Sequence, residues 1–142
     1  MKTEAILVTG ASKGIGKAIA IRLAKDGFQI AVHYGRDKQG AEDTLAEVRA
    51  AGSDGRILTF DIANRQQCRE SLELDMAENG AYYGTILNAA INKDGAFPAL
   101  EDDDWDDVIN ANLGGFYNVL KPIMMPMIRR RSAGRVVVMS SV

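Results

Sequence analysis

Thr9-Gly10-Ala11-Ser12-Lys13-Gly14-Ile15-Gly16, entered from the apolar run Ala5-Ile6-Leu7-Val8, is the stretch on which the fold turns. The run reads as a short buried strand. The glycines after it tolerate positive φ and let backbone N–H groups approach a pyrophosphate, and a helix then opens with its positive dipole end toward that anion. Ile15, Ile19 and Leu23 recur at helical spacing and Asp26-Gly27 supplies a stop, so strand, turn and helix follow in the order a nucleotide-binding turn requires. A Walker-type phosphate loop fails twice. Before Gly16-Lys17 it would need a glycine where Ala11 stands, and after them a hydroxyl where Ala18 stands, which argues against an ATPase or GTPase.

The chain has 142 residues, 46% of them apolar, which suits one domain with a sizeable core. A formal net charge of -2 offers nucleic acid no basic surface overall, and no apolar run is long enough to span a membrane. Met1-Lys2-Thr3-Glu4 leads into a strand without the apolar core of a signal peptide, so a cytoplasmic protein is the expectation. Cys68 stands at a helical core position with Leu72 and Met76 and reads as a small buried hydrophobe. His33 is the one histidine, and no ligand cluster for a metal accompanies it.

Working outward from the turn, residues 28–34 read as a second strand and residues 40–51 as a helix with Ala41, Leu45 and Val48 on one face. A third strand follows at 56–60, then a helix at 65–78 ended by Asn79-Gly80, and a fourth strand at 85–89. The fourth helix spans about 104–130, with Pro122 and Pro126 expected to kink or shorten it. Residues 135–139 read as a fifth strand, whose near-continuous apolar run suits burial on both faces. Strands separated by helices of crossover length predict an α/β fold, a doubly wound parallel sheet of order 3-2-1-4-5. In such sheets ligands bind beyond the carboxyl ends of the strands, where Gly10, Tyr34, Asp61, Asn88 and Ser140-Ser141 fall.

NAD sites commonly place an acid at the end of the second strand to bind the ribose hydroxyls. Here that end reads His33-Tyr34-Gly35-Arg36. Tyr34 falls where the acid belongs, while Arg36 and Lys13 offer cations for a 2′-phosphate, which favours NADP(H). A shift of a few residues would bring in Asp37 and favour NAD. Asp61-Ile62 follows the third strand and Asn88-Ala89-Ala90 the fourth, with small residues letting the chain pass close to a ligand. Asp61 also suits the N-cap of the next helix. In the fourth helix Trp105, Val108, Ile109, Leu113, Phe116 and Leu120 form an apolar stripe in which Asn112 is a polar exception. Asn112 is either satisfied by backbone groups or placed for function.

TGASKGIG, Asp61-Ile62, Asn88-Ala89-Ala90, Ala111-Asn112-Leu113 and Ser140-Ser141-Val142 together resemble the short-chain dehydrogenase/reductase family, over residues 2–142. Trp105-Asp106-Asp107-Val108, Phe116-Tyr117-Asn118 and Gly134-Arg135-Val136-Val137 bring the chain nearest, within that family, to the reductases of 3-oxoacyl groups carried on acyl carrier protein. Ala90 replaces the glycine that usually ends the Asn88 segment, which narrows the space there. The resemblance implies NADP(H) held by Gly10, Ser12, Lys13, Gly14, Ile15, Gly16, Tyr34, Arg36, Asp61, Ile62, Asn88, Ala89 and Ala90. It implies Asn112 as the catalytic asparagine that positions a water in the proton relay. Ser141, immediately before Val142, is implied as the serine that holds the substrate carbonyl, with Ser140 as the fallback.

The family's general acid is a tyrosine followed four residues later by a lysine, about a dozen residues beyond that serine. The resemblance therefore implies that this chain carries the N-terminal, cofactor-binding part, inactive alone, of an enzyme that is a homodimer or homotetramer. Two tyrosine–lysine pairs of the right spacing are present in the wrong places. Tyr34 and Lys38 flank the second strand's exit, and Tyr117 is rotated by about 140° from Asn112 around its helix. The acids of residues 101–107 suit the dipole at a helix start. Arg129, Arg130, Arg131 and Arg135 suit either a helix end or a basic rim for an acidic carrier. A protein that binds NADP(H) without turnover is the alternative function. A methyltransferase using S-adenosylmethionine is disfavoured by the residues at Tyr34, Asn88, Asn112 and Ser141. The last strand, left as a sheet edge, predicts self-association.

Overall fold

A computed structural model describes residues 4–91 and 95–140. Alternating strands and helices follow the order β1 (Ala5–Val8), α1 (Gly14–Lys25), β2 (Gln29–Tyr34), α2 (Lys38–Ala50), β3 (Gly55–Thr59), α3 (Arg65–Asn79), β4 (Gly84–Leu87), α4 (Asp102–Arg129) and β5 (Arg135–Val138). A 3₁₀ turn at Phe97–Ala99, absent from the sequence reading, precedes α4.

The strands form one parallel sheet of order β3-β2-β1-β4-β5, as the alternation of elements predicts. Register is set through the middle strand: Ile6 lies opposite Ile30 and Gly84, and Leu7 opposite Ala31 and Thr85. Side-chain alternation splits the core in two. Ile6, Val8, Ile30 and Val32 pack with Ala20, Ala24, Ala41 and Val48 of α1 and α2. Leu7 and Ala31 pack with Cys68 and Leu72 of α3 and with Val119 and Ile123 of α4. Burial pushes the Cys68 thiol up to about 11, consistent with its reading as a hydrophobe.

Packing corrects several expectations. In α1 the buried residues are Gly16, Ala20 and Ala24, while Ile15 is 63% exposed. In α4 they are Ala111, Gly115, Asn118, Val119, Ile123 and Met127, and the predicted stripe of Trp105, Ile109, Leu113 and Phe116 is exposed. Both helices approach their neighbours too closely for large side chains. A Cβ on Gly115 would stand 3.2 Å from Ile62 Cδ1, and one on Gly16 would stand 2.2 Å from the Gly10 carbonyl oxygen. Helix α4 runs through Pro122 and Pro126 without a break, its first turn carrying Asp102, Asp103 and Asp104. Strand β5 pairs with β4 alone, and Val136, Val137 and Val138 are exposed on this edge rather than buried on both faces.

Candidate functional site

A cavity of about 940 Å³ opens at the carboxyl ends of the strands. Gly10, Ser12 and Lys13 line it from the glycine turn, Gly35 and Arg36 from the exit of β2, Asp61 and Ile62 from that of β3, and Asn88, Ala89 and Ala90 from that of β4. Nine of the residues singled out from sequence therefore meet around one space. Gly14, Ile15, Gly16 and Tyr34 are not in its wall, and Ser141 lies outside the described residues. Residues the sequence reading missed also line the cavity, among them His33, Phe60, Ile91, Asp107 and Asn110. His33 was visible only as a lone buried-strand histidine, and no local signal marked the rest.

The glycine turn is held from three sides. Thr9 at the end of β1 accepts at Oγ1 from the amides of Asn88 and Ala89, each at 2.9 Å. Asn88 Nδ2 donates to the carbonyls of Thr9 and Gly10, both at 3.2 Å, which answers what a polar side chain does at that buried strand end. Thr44 Oγ1 donates to the Ala11 carbonyl at 2.7 Å, and the Ala11 amide donates to the His33 carbonyl at 2.9 Å. Gly10 and Gly14 adopt φ of 62° and 59°, where a side chain would be strained. A Cβ on Gly10 would also stand 3.0 Å from Ala89 Cα, whereas one on Gly14 meets nothing within 4 Å. The amides of Gly14, Ile15 and Gly16 open α1 and have no intrahelical partner by the geometry of a helix start. Open space at Gly14 and bare amides at the positive dipole end, directly after Ser12 and Lys13 of the cavity wall, fit a pyrophosphate.

The end of β2 separates its candidates by alternation. Tyr34 turns to the layer of α1 and α2, packed against that core, while Arg36 reaches the cavity. Asp37 is the N-cap of α2 and accepts from the Gly40 amide at 2.9 Å, outside the cavity wall. Asp61 is not the cap of α3: Asn64 caps it, accepting from the Gln67 amide, and Asp61 Oδ1 instead accepts from the Ala63 amide at 2.9 Å in a tight turn beside the cavity.

Asn112 borders a smaller space of about 80 Å³, shared with Thr9, Leu87, Phe116 and Val138. It is exposed, yet both ends of its amide are bound to one residue: Oδ1 accepts from the Ile91 amide at 2.9 Å and Nδ2 donates to the Ile91 carbonyl at 3.0 Å. Its side chain thus fixes the segment after β4. Tyr117 lies under the Arg65 guanidinium, 5.1 Å from ring centroid to Cζ, and lines neither space.

The arginine cluster is at the opposite end of the sheet. Arg135 pairs with Gly84 at the start of β4, and Arg130 reaches Glu4, which precedes β1, at 3.8 Å. These arginines therefore form no rim around the cavity, because parallel strands put all their starts at one end and all their exits at the other.

A parallel sheet in this order, with a glycine turn at the exit of β1 and a cavity across the strand ends, defines a Rossmann-like nucleotide-binding protein. The chain belongs to the short chain dehydrogenase family, whose profile matches residues 4–142. It is 54% identical, over 99% of its length, to "3-oxoacyl-[acyl-carrier-protein] reductase FabG" of Aggregatibacter actinomycetemcomitans, and spans 58% of that protein. It is 36% identical to the acetoacetyl-CoA reductase of Shinella zoogloeoides, over 96% of this chain and 54% of the relative. A solved 3-oxoacyl (acyl-carrier-protein) reductase from Agrobacterium tumefaciens C58, with NADP bound, superposes with a TM-score of 0.89 at 27% identity, over 98% of this chain and 53% of that one.

Proposed function

We propose that residues 1–142 form the NADP(H)-binding domain of a cytoplasmic oxidoreductase that reduces a 3-oxoacyl group, carried on acyl carrier protein or presented as a similar ketone, to the 3-hydroxy form. The observation that carries the cofactor choice is the fate of the side chains after β2. The one acid that would suit NAD, Asp37, is committed to capping α2, while Arg36 and Lys13 both line the cavity. Two cations, with the acid after β2 taken up by a helix cap, favour a 2′-phosphate.

The nicotinamide group supplies the hydride. This chain's residues bind and orient: the amides of Gly14, Ile15 and Gly16 would take the pyrophosphate, Asp61 and Ile62 would hold the adenine side, and Ala89 and Ala90 beside Asn88 would admit the nicotinamide ribose. Asn112 acts by fixing Ile91, so that any water it positions is held by main-chain groups of this segment and not by its own occupied amide. Ser141 holds the substrate carbonyl oxygen, in the role the family assigns it. The relatives named as acting on 3-oxoacyl-carrier-protein and acetoacetyl-CoA support a thioester ketone as substrate.

Titrating NADPH and NADH against the full natural chain tests the reading. NADPH should bind more tightly, and Arg36→Ala together with Lys13→Ala should remove that preference, at about 10- to 100-fold for the loss of a charge-assisted hydrogen bond. Equal affinity for the two dinucleotides, unmoved by either substitution, would overturn it.

A further inference from the structure

His33 is the least expected group in the cavity wall. It is 1% exposed, and strand alternation turns it toward the layer of α3 and α4 at the exit of β2. The Gly10 amide donates to its Nδ1 at 3.1 Å, and its Nε2 lies 2.8 Å from the Phe60 carbonyl oxygen. A carbonyl only accepts, so Nε2 carries the proton and Nδ1 is left to accept: the two partners together select one neutral tautomer. Burial holds the ring at about 4, against the pull of the Phe60 carbonyl and the Asp61 charge toward protonation. Its face lies against the Phe60 ring, with centroids 4.1 Å apart, and its own carbonyl takes the Ala11 amide. One residue therefore grips two successive amides of the glycine turn and the last residue before Asp61.

We propose that His33 is a positioning residue of the dinucleotide site, its ring tying Gly10 to Phe60 so that the turn facing the pyrophosphate and the Asp61 segment facing the adenosine keep one spacing. This rests on the NADP(H) reading above. The Gly10 amide is satisfied inside the protein and is no ligand donor. Without the ring Gly10, at φ 62°, loses the partner of its amide, and its own remaining tie is the one Asn88 makes to its carbonyl from β4; the Ala11 amide and carbonyl keep theirs. A hydrophobic residue of equal size would fill the space and hold neither end.

The test uses NADPH titrations on the full natural chain and three substitutions. His33→Phe keeps the ring volume and removes both bonds; it should weaken NADPH binding by about tenfold or more, the scale of one lost buried hydrogen bond with its unpaired partners. His33→Asn places an acceptor near Nδ1 and should recover binding to within about threefold of the parent. His33→Gln keeps only the distal donor and should stay as weak as the phenylalanine variant. Parent-like binding by His33→Phe, while Arg36→Ala still weakens it, overturns the proposal and leaves the cofactor reading intact. Equal losses in the phenylalanine and asparagine variants overturn it too, by reducing His33 to packing. If His33→Phe does not fold, the order of the other two decides, and a glutamine variant at least as tight as the asparagine one refutes the tie to Gly10. A parent that binds neither NADPH nor NADH refutes both readings together.

Discussion

The two ends of the parallel sheet are held by different chemistry. At the carboxyl ends, neutral groups hold the glycine turn and the segment after β4: Thr9, His33, Asn88 and Asn112 bind their backbone amides and carbonyls. At the amino ends, charge does it. Arg56 near the start of β3 sends Nε and Nη2 to the two oxygens of Asp75 in α3, at 2.5 and 2.8 Å, and Tyr82 donates its hydroxyl to the same buried carboxylate. Burial first, and then Asp75, push the Tyr82 hydroxyl far above its usual range. The contrast has a physical reason. Amides that await an anion keep their field only if no fixed carboxylate lies among them, so neutral brackets suit the glycine turn, and a buried ion pair is tolerable where no ligand competes for it.

The comparison breaks most readily at Asp75. Asp75→Ala should cost about 3–5 kcal/mol, because the Arg56 charge is left without its partner, and a denaturant titration would show it as a lowered midpoint. The folded variant should still bind dinucleotide within about twofold of the parent, since the two ends share no hydrogen bond and distant sites act additively. A parallel collapse of affinity would mean the ends are coupled.

Acid probes the neutral end. Burial holds His33 at about 4 in the folded chain, against 6.5 for an imidazole in water. The folded state resists the proton, so its contribution is complete above pH 6.5 and is lost as pH falls from 6.5 toward 4. Over that window the unfolding free energy should drop by about 3 kcal/mol from this group alone. Folding stability measured across the window in the parent and in His33→Asn checks the assignment; parallel profiles would contradict it.

The smallest effect sharpens the amino end. Arg131 closes α4 at φ 53°, where α1, α2 and α3 are followed by Gly27, Gly52 and Gly80 at φ 92°, 94° and 85°. Arg131→Gly should raise stability by about 0.5–1 kcal/mol by relieving a left-handed conformation, read as a rise in Tm. No gain would show that Arg131 is held by contacts worth as much as the strain.

Much of this was open to reading along the chain. The turn from Thr9 to Gly16 needed only its glycines and flanking periodicities to announce strand, turn and helix, and alternation of the remaining elements carried the sheet order. Asn112 stood out as a polar residue in an apolar pattern, although its partner, 21 positions earlier at Ile91, could not be known. Periodicity places the buried faces of α2 and α3 and misplaces those of α1 and α4, the latter two for a common reason. Periodicity finds large apolar side chains, but Gly16, Ala20, Ala111 and Gly115 are buried because backbones come close there, and a small residue carries no hydrophobic signal. In the same way, Tyr34 and Asp37 were plausible ligands until strand alternation turned one away and a helix start took the other. Local order in the chain thus suffices for elements, topology and the residues that reach the strand ends, because those depend on neighbours a few positions away. Which of them share one cavity, and that His33 binds Gly10 and Phe60 at once, depends on contacts 23 and 27 positions apart, which exist only after the sheet has assembled.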